Sequence, residues 1–175
     1  MPLCSTNRLC IRHFVTDDAE FILRLLNERS FIDNIADRQV RSIADAERYL
    51  RDGPMASYAA HGHGLNCVVR RDSGEPIGMC GILKRDTLPH PDLGYALLPE
   101  HTGQGYAREA ASAVMQHATN TLGIDHLLAI VNTDNTRSIS LLVELGFRLD
   151  PGETEPGMGR YFWVRGEGGK EKGER

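Results

Sequence analysis

The chain has 175 residues, 41% of them hydrophobic and 25% charged, with a net charge of −4. That length suits one domain with an ordinary core rather than two. The acidic balance lacks the positive field of a nucleic-acid binder, and no apolar run approaches the ~20 residues that span a bilayer, so neither nucleic acid nor membrane is an expected partner.

The opening MPLCSTNRLC has no apolar h-region, which points to a cytoplasmic protein with no signal peptide. Leu9-Cys10-Ile11-Arg12-His13-Phe14 reads as a first strand. Thr16-Asp17-Asp18 then caps a helix to about Arg29, with Ala19, Ile22, Leu23, Leu25 and Leu26 as its apolar stripe. Ser42 and Asp45 resemble a capping-box variant that starts a second helix, expected to stop before Gly53-Pro54. His61 and His63 in HGHG alternate as on a strand; two histidines without a third ligand predict no metal.

Leu65 to Arg71 and Pro76 to Lys84 predict antiparallel strands joined through Asp72-Ser73-Gly74-Glu75. Arg70-Arg71 and Lys84-Arg85 stand at their ends as solvated charges. Cys4, Cys10, Cys67 and Cys80 form no C-x-x-C pair, so reduced thiols are expected. Leu93 to Leu98 is a short strand stopped by Pro99. A helix follows from Gly105 or Tyr106 to about Thr121, with Ala107, Ala110, Ala111, Val114, Met115 and Ala118 at three- and four-residue steps. Gly123 ends it, and His126 to Val131 is a continuous apolar strand. Asn132 to Thr136 carries turn and cap residues before a helix from Ser138 to Leu145, closed by Gly146. Phe147 to Leu149 and Tyr161 to Arg165 supply closing strands. The expected whole is a mixed α/β domain over residues 1–165, with a disordered glycine-and-charge tail over 166–175.

One stretch, PEHTGQGYAREA at 99–110, sets two glycines one residue apart directly before a helix. Bare backbone there lets N–H groups approach a bulky anion at a helix start, and phosphate is the natural occupant. A plain turn is the competing reading.

LGYALLPEHTGQGYAREA and NTDNTRSISLLVELGF together resemble the GNAT superfamily of N-acetyltransferases, and within it the subgroup of ribosomal-protein N-terminal acetyltransferases with relatives acting on polyamines and antibiotics. The family loop has the form Gln/Arg-x-x-Gly-x-Gly/Ala, matched from Thr102 to Ala107 except at Thr102 itself. RLCIRHFVTDDAEFILRLL is similar in outline to the family's opening strand and helix.

The resemblance implies a splayed, mostly antiparallel mixed sheet flanked by helices, binding acetyl-CoA as cosubstrate between the strands ending near Leu98 and Val131. It further implies that the N–H groups around Gly103, Gln104, Gly105, Tyr106, Ala107 and Arg108 cradle the CoA pyrophosphate. A backbone N–H at Leu97 or Leu98 would polarise the thioester carbonyl, and Asn135 and Ser138 would contact the pantetheine arm or sulfur. By that motif position Ser138 is the candidate for stabilising or protonating the leaving thiolate; Leu142 stands where many members carry a tyrosine that serves as the acid. For both Asn135 and Ser138, simple helix capping is the alternative.

Asp92 is the candidate general base, against a reading as a solvated strand-end carboxylate. His90 and His101 flank the expected cleft as lesser candidates, while Tyr95 and Tyr106 read as packing residues. The need for a base depends on the acceptor. Neutralising a lysine-type amine at pH 7 costs roughly 4.6 kcal/mol and an α-amine only about 1. Peptide N-termini, polyamines and other small amines are all open as acceptors, as is a monomer or a homodimer. The acceptor would be gripped by residues from Ser30 to Arg41 and the loop before Asp92. The rival functions are a non-catalytic acyl-CoA-binding or sensory module, and a dinucleotide site built on Gly103, Gly105 and Asp125, which lacks its third glycine.

Overall fold

The computed structural model describes residues 2–167. In chain order the elements are β1 (Cys4–Ser5), β2 (Leu9–His13), α1 (Ala19–Leu26), α2 (Arg29–Asn34), α3 (Ile43–Leu50), α4 (Ala56–His61), β3 (Leu65–Arg70) and β4 (Pro76–Leu83). They continue as β5 (Asp92–Leu97), α5 (Tyr106–Asn120), β6 (His126–Asn132), α6 (Thr136–Glu144), β7 (Arg148–Asp150) and β8 (Met158–Val164). The strands form one sheet in the order β1-β2-β3-β4-β5-β6-β8-β7. Every neighbouring pair is antiparallel except β5 and β6.

That parallel pair makes the fold distinctive. It is joined at Asp92 opposite Leu128, with the Leu128 N–H donating to the Pro91 carbonyl at 2.9 Å. Beyond this junction the two strands diverge. β5 stays paired to β4 from Asp92 to Leu97, and β6 to β8 from His126 to Asn132, so each wall of the gap is held from behind.

Strand periodicity sorts the core to two faces. On one face Leu93 of β5 and Leu127, Ala129 and Val131 of β6 pack with Ala110, Ala111, Val114, Met115 and Ala118 of α5 and Leu142 of α6. On the other, Cys67, Met79 and Leu98 pack with Ile22, Leu25 and Leu26 of α1, Phe31 of α2 and Ala46 and Leu50 of α3. The small-residue stripe lets α5 lie close against the sheet and fixes where its first turn sits.

The N-terminal half departs from expectation in three places. The first helix ends at Leu26, because the Asn27 amide donates to the Leu23 carbonyl at 2.7 Å and the Val40 carbonyl at 2.8 Å; a separate α2 follows. Ser42 does cap α3, accepting from the Asp45 N–H at 3.1 Å, but the Asp45 carboxylate turns to the Arg41 N–H rather than completing a box. Nor does the helix stop at Gly53-Pro54. A wider turn over Arg51–Met55 carries the chain into α4, accommodating a buried proline that has no N–H to donate. His61 therefore closes a helix instead of entering a strand, with Gly62 left-handed at φ 76° behind it. The His63 ring is committed through Nδ1 to the Ile82 carbonyl at 2.7 Å.

Asp18 shows why the first turn holds. It accepts from the Val15 N–H at 2.9 Å and from both ends of the Arg12 guanidinium at 2.9 and 2.8 Å. Burial alone would raise its pKa, but those donors outweigh burial and hold it below the ordinary value of 3.8. All four cysteines are free. Of the tail expected over 166–175, Gly166 and Glu167 form a turn in which the Glu167 carboxylate meets Arg148 at 3.0 Å. Residues 168–175 lie outside the described residues.

Candidate active site

The divergence of β5 from β6 opens a cavity of about 280 Å³ that passes between the two faces of the sheet. Its walls are β5 from Asp92 to Leu97 and β6 from Ala129 to Val131. α6 and its N-cap contribute Asn135, Arg137 and Ser138, α2 and its C-cap contribute Ser30, Phe31, Asn34 and Ile35, and the glycine loop and first turn of α5 reach it through Thr102 and Ala107. Asn132 fastens α2 over the gap, its amide donating to the Asp33 and Asn34 carbonyls at 3.2 and 3.1 Å.

Hydrogen-bond alternation decides which backbone groups of β5 face this opening. The Leu98 N–H donates to the Ile77 carbonyl at 2.8 Å, so in an antiparallel ladder the N–H groups of Leu97 and Tyr95 point the other way, into the gap. Leu98 is thereby removed from the expected site: its N–H is occupied and its side chain is buried in the core. Leu97 keeps the backbone geometry the expectation required.

The glycine loop is built for exposed N–H groups. Gly103 and Gly105 are left-handed at φ 74° and 83°. The first backbone bond of α5 runs from the Glu109 N–H to the Gly105 carbonyl at 3.1 Å, so the N–H groups of Gly105, Tyr106, Ala107 and Arg108 have no partner among the described residues. The two glycines differ in surroundings. A Cβ at Gly103 would meet open space, while one at Gly105 would come within 3.2 Å of Arg8 Nη2.

Arg8 matches no local pattern that would single it out. Its Nη1 donates to the Gln104 carbonyl at 2.9 Å and its Nε to Glu109 at 2.7 Å, and its guanidinium lies 4.3 Å over the Tyr106 ring. Turning the Gln104 carbonyl outward leaves the loop's donors on the opposite side. The Gln104 side chain is tied to the Glu100 carbonyl at 3.0 Å, and the Arg108 guanidinium lies 3.4 Å from Glu144, so both offer the loop only their backbone.

Two hydroxyls meet within the cavity. Tyr95 Oη lies 2.5 Å from Ser138 Oγ, where either hydroxyl can donate, and 3.3 Å from the Ser138 carbonyl. Burial pushes the Tyr95 phenol up to about 12, opposed by its bond to Ser138. Asn135 caps α6, accepting from the Ser138 N–H at 3.3 Å, and still lines the cavity, so its capping and site positions coexist. Tyr95 was readable as packing because it alternates with Leu93 and Leu97; a hydroxyl on that otherwise apolar face was the available signal.

Asp92 is buried, not the solvated carboxylate of the alternative reading, and lines the cavity. By strand alternation it faces the side of α2, opposite Tyr95. Arg85 Nε donates to its Oδ1 at 3.1 Å. Burial raises the Asp92 pKa above the ordinary 3.8, and Arg85 only partly offsets that rise. His101 is buried beside Tyr106 and Glu75, and His90 sits 4.7 Å from His126; neither lines the cavity.

A family model for the acetyltransferase (GNAT) domain matches residues 8–148. The chain belongs to the GNAT acetyltransferases. It is 29% identical over 149 residues to the uncharacterized N-acetyltransferase YoaA of Bacillus subtilis strain 168, covering 84% of this chain and 83% of that protein. An acetyltransferase structure from Agrobacterium tumefaciens C58 superposes with a TM-score of 0.79 at 25% identity, over 93% of this chain and 94% of the other. RimL, a ribosomal L7/L12 α-N-protein acetyltransferase solved with coenzyme A, has the same fold, with a TM-score of 0.80 at 14% identity over 94% and 98% of the two chains. This GNAT protein is accordingly an acetyl-CoA-dependent acetyltransferase acting on an amine.

Proposed function

We propose that the protein transfers the acetyl group of acetyl-CoA directly to a primary amine, with the two partners meeting through the gap from opposite faces of the sheet. The observation that carries this reading is the sorting of polar groups: Tyr95 and Ser138 on the side of α5 and α6, Asp92 on the side of α2. The pyrophosphate lies on the N–H groups from Gly103 to Arg108. The pantetheine arm runs along the free edge of β5 like an added strand, contacting Asn135, and the N–H groups of Leu97 and Tyr95 polarise the thioester carbonyl.

Asp92 takes a proton from the incoming ammonium, directly or through a water, so that a neutral amine attacks the thioester carbon. Its raised pKa makes it a stronger base than an ordinary carboxylate. When the tetrahedral intermediate collapses, the carbon–sulfur bond breaks and negative charge appears on sulfur. The Ser138 O–H donates to that sulfur, while Tyr95 donates to Ser138 Oγ and holds its proton outward; the proton first taken by Asp92 passes to solvent, and the second proton that the nitrogen loses after attack balances the one that the thiol finally gains. Acid catalysis by a helix tyrosine is not available, since Leu142 fills that position and is buried.

The test is free-thiol release from acetyl-CoA with a panel of peptide N-termini, polyamines and small amines, with acceptor mass gain read in parallel. Release above the enzyme-free rate with one acetyl gained is expected. Tight acetyl-CoA binding with no release across the panel would favour a sensory module instead.

A further inference from the structure

The charged side chains that line the cavity are Arg85, Asp92 and Arg137. Its one carboxylate is already engaged by Arg85 through Nε, which leaves both terminal nitrogens of that guanidinium with no partner among the described residues. Arg137 has no ion-pair partner among them either. The carboxylates near the α2 side are held by their own arginines: Glu28 by Arg24, Asp33 by Arg29 and Asp37 by Arg41. An acceptor entering from that side therefore meets the open terminal nitrogens of Arg85 and, among the described residues lining the cavity, no carboxylate other than the engaged Asp92.

We infer that the acceptor carries an anionic group, a carboxylate or a phosphate, close to its amine, and that the free edge of Arg85 reads it. The inference rests on the proposed acetyl transfer and names the acceptor class for that site. A guanidinium presents paired donors in a plane, matched to the two oxygens of such a group. Because Arg85 contacts Asp92, the anion it holds lies only a few bonds from the amine that Asp92 deprotonates. A small amino acid, a phosphorylated aminoalcohol or a peptide with an acidic first residue meets this requirement. A polyamine does not, since its second ammonium would face the guanidinium without a carboxylate to receive it. The polar lining of α2, Ser30 and Asn34, supplies further donors and acceptors for such a head group.

The experiment compares acceptors of one shape and different charge: an Asp-Ala amide against an Asn-Ala amide, phosphoethanolamine against ethanolamine, and spermidine as the cationic arm. Thiol release is read for the wild type and for Arg85→Gln. The wild type is expected to favour the anionic member of at least one pair in kcat/KM by about tenfold or more, the effect of one charge-assisted contact. Which pair shows the preference separates carboxylate from phosphate. Arg85→Gln is expected to bring that ratio toward one, and since any change in Asp92 acts on both members alike, the ratio isolates anion recognition. Equal turnover of both members of both pairs, or a preference for spermidine, overturns this inference and leaves acetyl transfer standing. Release with no acceptor at all overturns both.

Discussion

The two sides of the β5–β6 gap are built by different means. The side proposed for the cofactor is backbone held in place: left-handed glycines, an uncapped helix start and one free strand edge, nearly all between Tyr95 and Arg108. The side proposed for the acceptor is side chains gathered from far apart, Phe31 from α2 and Ile35 just after it, Arg85 from a loop, Asp92 from β5 and Ile130 from β6. A grip made of peptide groups tolerates sequence change around it and serves a constant ligand. A grip made of side chains is where specificity can be rewritten.

The sharpest way to separate the sides is Asp92→Asn. For an acceptor with a lysine-type amine, kcat/KM should fall by about 10² to 10⁴, the usual worth of a general base, while the acetyl-CoA dissociation constant from calorimetry stays unchanged. The drop should be smaller for an α-amine, which is nearer neutrality at pH 7. The wild-type pH profile sharpens the point. Because Asp92 must be ionised and burial raises its pKa, the acidic limb of kcat/KM should lie above 3.8. Arg85→Gln removes the cation that lowers that value and should move the limb further up. A limb at the ordinary carboxylate position would take the base role from Asp92.

Gly105→Val should do the opposite. A β-branched residue at φ 83° with Arg8 3.2 Å from its Cβ must shift the loop and lose two or more N–H contacts to the pyrophosphate. At about 1.5 kcal/mol or more per charge-assisted bond, acetyl-CoA binding should weaken roughly 100-fold, with the circular-dichroism spectrum retained. Unchanged affinity would reduce the loop to a turn.

Ser138→Ala should lower kcat by about 10- to 100-fold with little change in the KM for acetyl-CoA, the signature of an interaction made as sulfur becomes charged. Tyr95→Phe should follow with a smaller loss, about tenfold or less, because it acts through Ser138. Arg8→Ala should show a loss of comparable size, in binding rather than turnover. It should raise the acetyl-CoA KM by about tenfold with kcat nearly unchanged, and Arg8→Lys should restore only part of that, since one ammonium cannot meet Glu109 and the Gln104 carbonyl in the same fork.

What was legible in the sequence follows the same divide. The glycine loop, α5 and the α6 cap announced themselves because each depends on residues within a few positions: positive φ at Gly103 and Gly105, an alanine stripe at helical spacing, Asn135 three residues before Ser138. Between Arg29 and His61 the start of α3 was legible from its Ser42 cap, but α2 and α4 were not, since Asn27 ends α1 through a carbonyl thirteen residues on and Pro54 is absorbed by a widened turn.

The sequence alone determined the family, the glycine loop that opens a helix and the order of the elements around it, because short-range backbone geometry is written in adjacent residues. Tertiary structure alone decided that the Leu98 N–H is occupied by Ile77, that Asp92 is buried against Arg85, that Tyr95 meets Ser138 and that Arg8 reaches a glutamate 101 positions away. Each of those depends on which strand lies beside which and where two strands part, and no local pattern of residue types encodes that.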